Sequence, residues 1–226
     1  MFALDQVLRL PLLPVLALQG LWVRARAELL PAPPGARSGA FGTGPALRLL
    51  VLGDSSAAGV GADDQSRAMP ALLARRLAAE FAITYHLVAQ TGDTTRTALP
   101  RLQAAPPDRV DLAVVVLGVN DVTRATSARR YVARMQAIEH DLIARGVRHV
   151  VFSGVPPMQH FPLLPQPLRW VLGQHAARLD RALVAFTAVK NTRSHCALSL
   201  PFDPDMAARD GFHPSGAAHQ LWADML

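Results

Sequence analysis

Two short stretches carry residue types that could do chemistry together: Gly53-Asp54-Ser55 and, far downstream, Asp210-Gly211-Phe212-His213. A serine hydroxyl is inert at neutral pH unless a neighbouring base takes its proton, and that base needs a third group to fix its tautomer. A carboxylate three residues before a histidine can hold the imidazole from behind, so Asp210 and His213 could supply orienter and base from one loop. Ser55 becomes a nucleophile if the fold sets it in front of that ring. The chemistry is then acyl transfer. A carbonyl oxygen that gains charge in such a reaction needs hydrogen-bond donors, and the backbone N–H groups of Ser55 and Gly92 with the amide of Asn120 suit that role.

These residues must be positioned by elements that the apolar pattern makes visible. Leu47–Leu52, Ile83–Ala89, Leu112–Leu117 and Val147–Ser153 are short, branched and apolar, as strands buried on both faces are. Stretches near 66–80, 95–104, 127–145 and 167–189 have helical length and spacing. Strand-helix alternation predicts an α/β fold, a parallel sheet with helices on both faces. A fifth short strand is predicted near Ala197–Leu200, and Ser215 after Pro214 opens a terminal helix. Ligands of such sheets bind outside the carboxyl ends of the strands. The first predicted strand runs into Gly53-Asp54-Ser55, the second into Gln90-Thr91-Gly92-Asp93 and the third into Gly118-Val119-Asn120-Asp121. Asp54 and Asp121 are expected to hold the loops that carry Ser55 and Asn120.

Alone, each of these pieces is weak. Gly-Asp-Ser is a common turn, Gly92 could be only a turn glycine, and Asn120-Asp121 could be a cap or turn pair. Together, at consecutive strand ends, they resemble the SGNH hydrolases, also called GDSL-type esterases and lipases. Gly53-Asp54-Ser55 resembles the first block of that family, Gly92 the second, Gly118-x-Asn120-Asp121 the third and Asp210-x-x-His213 the fifth. Ser56 stands where the family often has leucine, and the last helix is short because 13 residues follow His213. The resemblance covers about residues 47–226. It implies a three-layer α/β/α sandwich with a five-stranded parallel sheet in flavodoxin-like order. It also implies a cofactor-free serine ester hydrolase that works through an acyl-enzyme, with a small-molecule acyl ester as substrate. From another class comes the alternative of a catalytically idle domain that binds a lipid or carbohydrate ligand in the same cleft.

Other chemistries find less support. Gly59-Val60-Gly61 lacks the third glycine of a dinucleotide loop, and neither a phosphate loop nor a Gly-x-Ser-x-Gly elbow is present. The eight histidines form no zinc-type spacing, so no metal is implied, and His219 is expected to be turned away by its helix. The formal charge is +6, and Lys190 is the only lysine. The arginines are scattered without interleaved aromatics, which argues against nucleic acid. Cys196, the sole cysteine, excludes an intramolecular disulfide and reads as a small core residue.

Residues 1–46 read as an apolar segment followed by a Pro/Gly-rich linker, and 47–226 as the hydrolase domain. The apolar run Leu10–Val23 is 14 residues long with two prolines, short of the about 20 that a spanning helix needs. Its readings are a signal, an anchor, or an interfacial or packed segment, the last with peripheral membrane contact through residues 8–26. Between the fourth strand and the next helix, Val155–Pro165 is apolar and proline-stiffened. Met158, Phe161 and Leu163 are the candidate wall for a short-to-medium acyl chain. Alternatively they cover the core.

Overall fold

The computed structural model describes residues 4–104, 109–201 and 203–226. A helix α1 (Leu4–Arg26) precedes the strands β1 (Ser38–Phe41) and β2 (Ala46–Gly53). There follow α2 (Met69–Leu77), β3 (Ala82–Ala89), α3 (Thr95–Ala104), β4 (Leu112–Val116), the short α4 (Val119–Thr123) and α5 (Ala128–Ala144). The chain closes with β5 (His149–Ser153), α6 (Leu168–Thr187), β6 (Arg193–Cys196) and α7 (Gly216–Met225). The sheet order is β1-β3-β2-β4-β5-β6, and all neighbours are parallel except β1 and β3.

Alternation along β2 explains the three layers. Leu50 and Leu52 face α3, α5 and α6, where Leu102, Met135, Ile138 and Leu179 are buried. Leu49 and Val51 point to the opposite face, against Met69, Leu73 and Trp222 of α2 and α7. Leu50 and Leu52 are wholly buried, and truncating such a residue costs on the order of 2–5 kcal/mol. The five parallel strands keep the flavodoxin-like order that the resemblance implies.

Three elements differ from the sequence reading. The sheet has a sixth strand, antiparallel β1, inside the stretch read as a linker. Its Ser-Gly-Ala-Phe sequence has no strand pattern; Gly39 lies against the Tyr85 ring, which also stacks on Phe41 at 6.0 Å between centroids. The last parallel strand is Arg193–Cys196 and not Ala197–Leu200. A charged residue hid it: Arg193 is buried, paired with Glu139 at 2.6 Å and laid over the Phe186 ring at 3.6 Å. Finally, the apolar run near the start belongs to a helix of 23 residues that continues through Pro11 and Pro14, both on its exposed side.

Candidate active site

Register sets the site. Gly53 pairs with Ala89 on one side and Val116 on the other, so three strands end level and their loops leave the sheet at one edge. Gly53 has no room for a side chain, because a β-carbon there would collide with Ala57 and the Val116 carbonyl. The turn that follows is closed by bonds from Ala58 N to Asp54 O at 2.9 Å and from Val60 N to Ser55 O at 3.0 Å. Ser55 is thereby held at the edge, mostly buried.

His213 arrives from the loop before α7. Its Nε2 lies 2.9 Å from Ser55 Oγ, and its Nδ1 lies 2.5 Å from Asp210 Oδ2. An ionised carboxylate only accepts, so Nδ1 carries the proton and Nε2 is left to accept from the serine hydroxyl. The other Asp210 oxygen accepts the backbone N–H groups of Phe212 and His213, each at 3.0 Å. Burial works to raise the Asp210 pKa, but these three donors outweigh it and leave the carboxyl below its ordinary value. Asp210 is therefore a charged acceptor at neutral pH.

Asn120 stands at the start of α4, and its Nδ2 donates to the Asp93 carbonyl at 3.0 Å. A second, longer contact of 3.4 Å reaches Asp54 Oδ2. The two N–H groups are coplanar, so the first bond also sets the direction of the second, which makes only this long, weak contact. Among the described residues, the backbone N–H groups of Ser55 and Gly92 donate to no protein acceptor. Gly92 has φ +86° with open space around a hypothetical β-carbon, so the left-handed turn, not crowding, calls for glycine there.

The two remaining carboxylates of the motifs brace the loops. Asp54 Oδ1 accepts from Ser56 N at 3.0 Å, and burial pushes the carboxyl up to about 6. Asp121 is fully buried and takes Thr95 N at 2.8 Å and Thr95 Oγ1 at 2.7 Å, tying α4 to the start of α3.

Two positioning residues escaped the sequence reading. A β-carbon on Gly61 (φ +98°) would collide with the Pro214 carbonyl, so this glycine lets the serine loop touch the histidine loop. His219 does turn away from the triad, yet its Nδ1 accepts from Met69 N and its Nε2 donates to the Val60 carbonyl, both at 3.3 Å. Burial pushes its pKa down to about 4, so it stays neutral while pinning the serine loop to α7. Glycines judged only against a dinucleotide loop, and a histidine judged only as a ligand, hid these roles.

Beside His213 opens a cavity of about 520 Å³, which reaches Asp54 and Ser56 at one end. Pro156, Pro157 and Phe161 wall it from the loop after β5, and Leu198, Leu200 and Met206 from the segment after β6. Of the three residues proposed as an acyl-chain wall, only Phe161 lines it. Met158 is completely buried in the core, where its unbranched side chain fills space under the loop. Leu163 instead clasps the loop that carries His213, its N–H donating to Gly211 O at 3.0 Å. Phe161 meets Phe212 edge-on at 5.1 Å, and Phe212 meets the His213 ring at 5.4 Å.

The family model of the GDSL-like lipase/acylhydrolase family matches residues 51–221. The chain is 30% identical over 192 residues to the GDSL-like esterase Rv1075c of Mycobacterium tuberculosis, covering 80% of this chain and 60% of that protein. It is likewise 30% identical over 175 residues to esterase TesA of Pseudomonas aeruginosa, covering 75% of this chain and 81% of that one. The crystal structure of a TesA superposes with a TM-score of 0.64 at 25% identity, over 79% of this chain and 94% of the other. With the serine, glycine and asparagine motifs at three strand ends and the histidine motif brought to them by the loop before α7, the chain belongs to the GDSL-like lipase/acylhydrolase family of ester-bond hydrolases.

Proposed function

We propose that the protein is a serine carboxylesterase that cleaves short-to-medium acyl esters through an acyl-enzyme. The observation that carries this reading is the continuous chain from Ser55 Oγ through His213 to Asp210, at 2.9 and 2.5 Å, opening on an apolar cavity. Both curated relatives carry the name esterase, which agrees with it.

Ser55 attacks the ester carbonyl while His213 Nε2 takes the hydroxyl proton. Asp210 balances the imidazolium charge. The carbonyl oxygen becomes an oxyanion, received by the N–H groups of Ser55 and Gly92 and by the Asn120 amide, which gives up its long contact with Asp54. Collapse expels the alcohol, which takes the proton from His213, and the acyl group remains on Ser55. Water, deprotonated by the same ring, then releases the acid. The acyl group rests in the cavity, where proline, leucine and phenylalanine walls suit an alkyl chain better than a sugar ring. Each buried methylene is worth about 0.8 kcal/mol.

Two measurements test this together. A fluorophosphonate should label the protein at Ser55, and p-nitrophenyl butyrate should turn over. Ser55→Ala should abolish labelling and lower kcat by about 10⁴–10⁶, with substrate binding little changed. Absence of both labelling and turnover in the folded wild type would make the cleft a binding site for a lipid or carbohydrate instead. A chain-length series from acetate to octanoate tests the finer claim, and best activity on acetylated polysaccharide would overturn it.

A further inference from the structure

Helix α1 turns an apolar face outward as well as inward. Asp5, Leu8, Arg9, Leu12, Leu16, Gln19 and Val23 follow three- and four-residue spacing and are the buried or half-buried positions, on the side toward α6. Polar ties hold that side beside the apolar contact of Val23 with the core: Arg178 Nη2 bonds both Asp5 oxygens at 2.6 and 2.7 Å, and Gln19 accepts from Leu168 N at 3.0 Å. The opposite face carries Leu4, Val7, Leu10, Leu18, Leu21 and Trp22, between 46% and 79% exposed. So long an apolar stripe in water is costly and marks a contact surface.

We propose that this face docks on an anionic lipid surface, with α1 lying in the plane of the membrane. The helix is long and apolar enough to cross a bilayer by length and composition. Its ties to the domain give it another orientation. Asp5 and Gln19 fasten about 21 Å of α1 along α6. A helix clasped lengthwise in this way cannot cross the membrane without drawing α6 in with it, and α6 exposes Gln174 and Arg181.

Charge selects lipid as the occupant. The exposed charges of α1 are Arg24 and Arg26, while its one acid, Asp5, is buried against Arg178. Arg26 lies 5.4 Å over the Trp22 ring, so an aromatic and two cations share one end of the stripe, the composition of a headgroup-level anchor. A second copy would set one surface of a +6 protein against another of the same sign. Docking also bears on the cavity. Gln19 grips Leu168 N and Gln166 O, beside the cavity residue Arg169, and Glu28 just past α1 pairs with Arg209 at 2.8 Å, next to Asp210.

Flotation of the full chain with phosphatidylcholine vesicles, with and without phosphatidylglycerol, tests the proposal. The protein should float with the anionic vesicles and be released by high salt and by alkaline carbonate. Leu10→Glu with Leu18→Glu should cut the bound fraction at least about tenfold, since two apolar side chains of the stripe become charged. The same variant should hydrolyse soluble p-nitrophenyl butyrate at the wild-type rate, which separates docking from catalysis. Arg24→Gln with Arg26→Gln should weaken binding to anionic vesicles only. Should the double glutamate variant not fold, lipids with brominated chains should quench wild-type fluorescence more than that of Trp22→Phe. Retention through carbonate would mean a spanning helix and overturn the proposal. So would unchanged vesicle binding by the folded glutamate variant, or failure to float together with concentration-dependent dimerisation that the variant abolishes.

Discussion

The two halves of the active edge are built on opposite terms. Around β2, β3 and β4, and in the loop before α7 that carries His213, nearly every polar group is fixed by a named bond: Asp210 takes three donors, Asp121 takes two from Thr95, and Asp93 O holds Asn120. In the loop after β5 and the first part of the segment after β6, the chain instead walls the cavity mainly with proline, leucine and phenylalanine. Hydrogen bonds have directions, so the first half tolerates few residue types and holds atoms to within tenths of an ångström. Apolar contact has none, so the second half sets a volume and a polarity. The proposed function gives chemistry to the first half and choice of substrate to the second.

If that division is right, the largest losses come from the polar half. Asp210→Asn keeps an oxygen for the N–H groups of Phe212 and His213, so the loop should stay folded. Its new amide N–H, however, faces His213 Nδ1 and forces the proton onto Nε2, which then cannot accept from Ser55. A fall of about 10⁴ in kcat is expected, with thermal unfolding little changed. Activity close to wild type would hand the orienting role to Asp54 or Asp121. Asn120→Ala should cost about 10²–10³ in kcat with little change in KM, since the amide serves the oxyanion and not the bound ester. A loss confined to KM would move Asn120 out of the oxyanion hole.

Asp54 sharpens the contrast because its cost to the fold can be measured apart from catalysis. Its carboxyl titrates near 6 in the folded protein against 3.8 unperturbed, owing first to burial. Between about pH 4 and pH 6 the folded state keeps a proton that the unfolded chain has released. Stability from this group therefore falls as pH rises through that window and levels off above it. The full difference is about 3 kcal/mol. Asp210, with its lowered pKa, acts in the other direction, contributing stability that is lost as pH falls. Asp54→Asn should therefore raise stability relative to wild type at pH 7 but not at pH 4, with kcat reduced through Asn120. An equal shift at both values would mean that the carboxyl is charged throughout.

The same division governs what the sequence makes legible. Ser55, Gly92, Asn120, Asp210 and His213 can be found by type and spacing because directional chemistry admits few substitutes. The four main parallel strands are visible because burial on both faces demands branched apolar runs. β1 is hidden because its Gly39 borrows the Tyr85 ring in place of a side chain, and β6 because a buried ion pair put Arg193 where an apolar residue is expected. The cavity wall is the least legible part. Leu198 and Leu200 read as a strand, and Met158 reads as wall although it is core, since apolar residues from distant segments serve either purpose. Gly61 and His219 were missed because a close approach between two loops leaves no pattern in either one.

The smallest effect tests the apolar half, and it lies in Phe161. Its ring lines the cavity and also leans on Phe212, which in turn meets His213. Phe161→Ala can therefore act in two ways. If the ring is substrate wall, each methylene that loses its contact costs about 0.8 kcal/mol, or about fourfold in kcat/KM. The penalty then grows from acetate through butyrate to octanoate, while acetate turnover stays close to wild type. If the ring matters as a prop for Phe212, His213 shifts for every substrate and kcat falls by one factor at all chain lengths. Leu198→Ala separates the two, because Leu198 lines the same cavity but forms no ring stack with Phe212. A chain-length slope shared by both variants would assign the cavity to the acyl group. A flat loss in Phe161→Ala beside an unaltered Leu198→Ala would make the apolar half a support for the polar one and remove it from substrate choice.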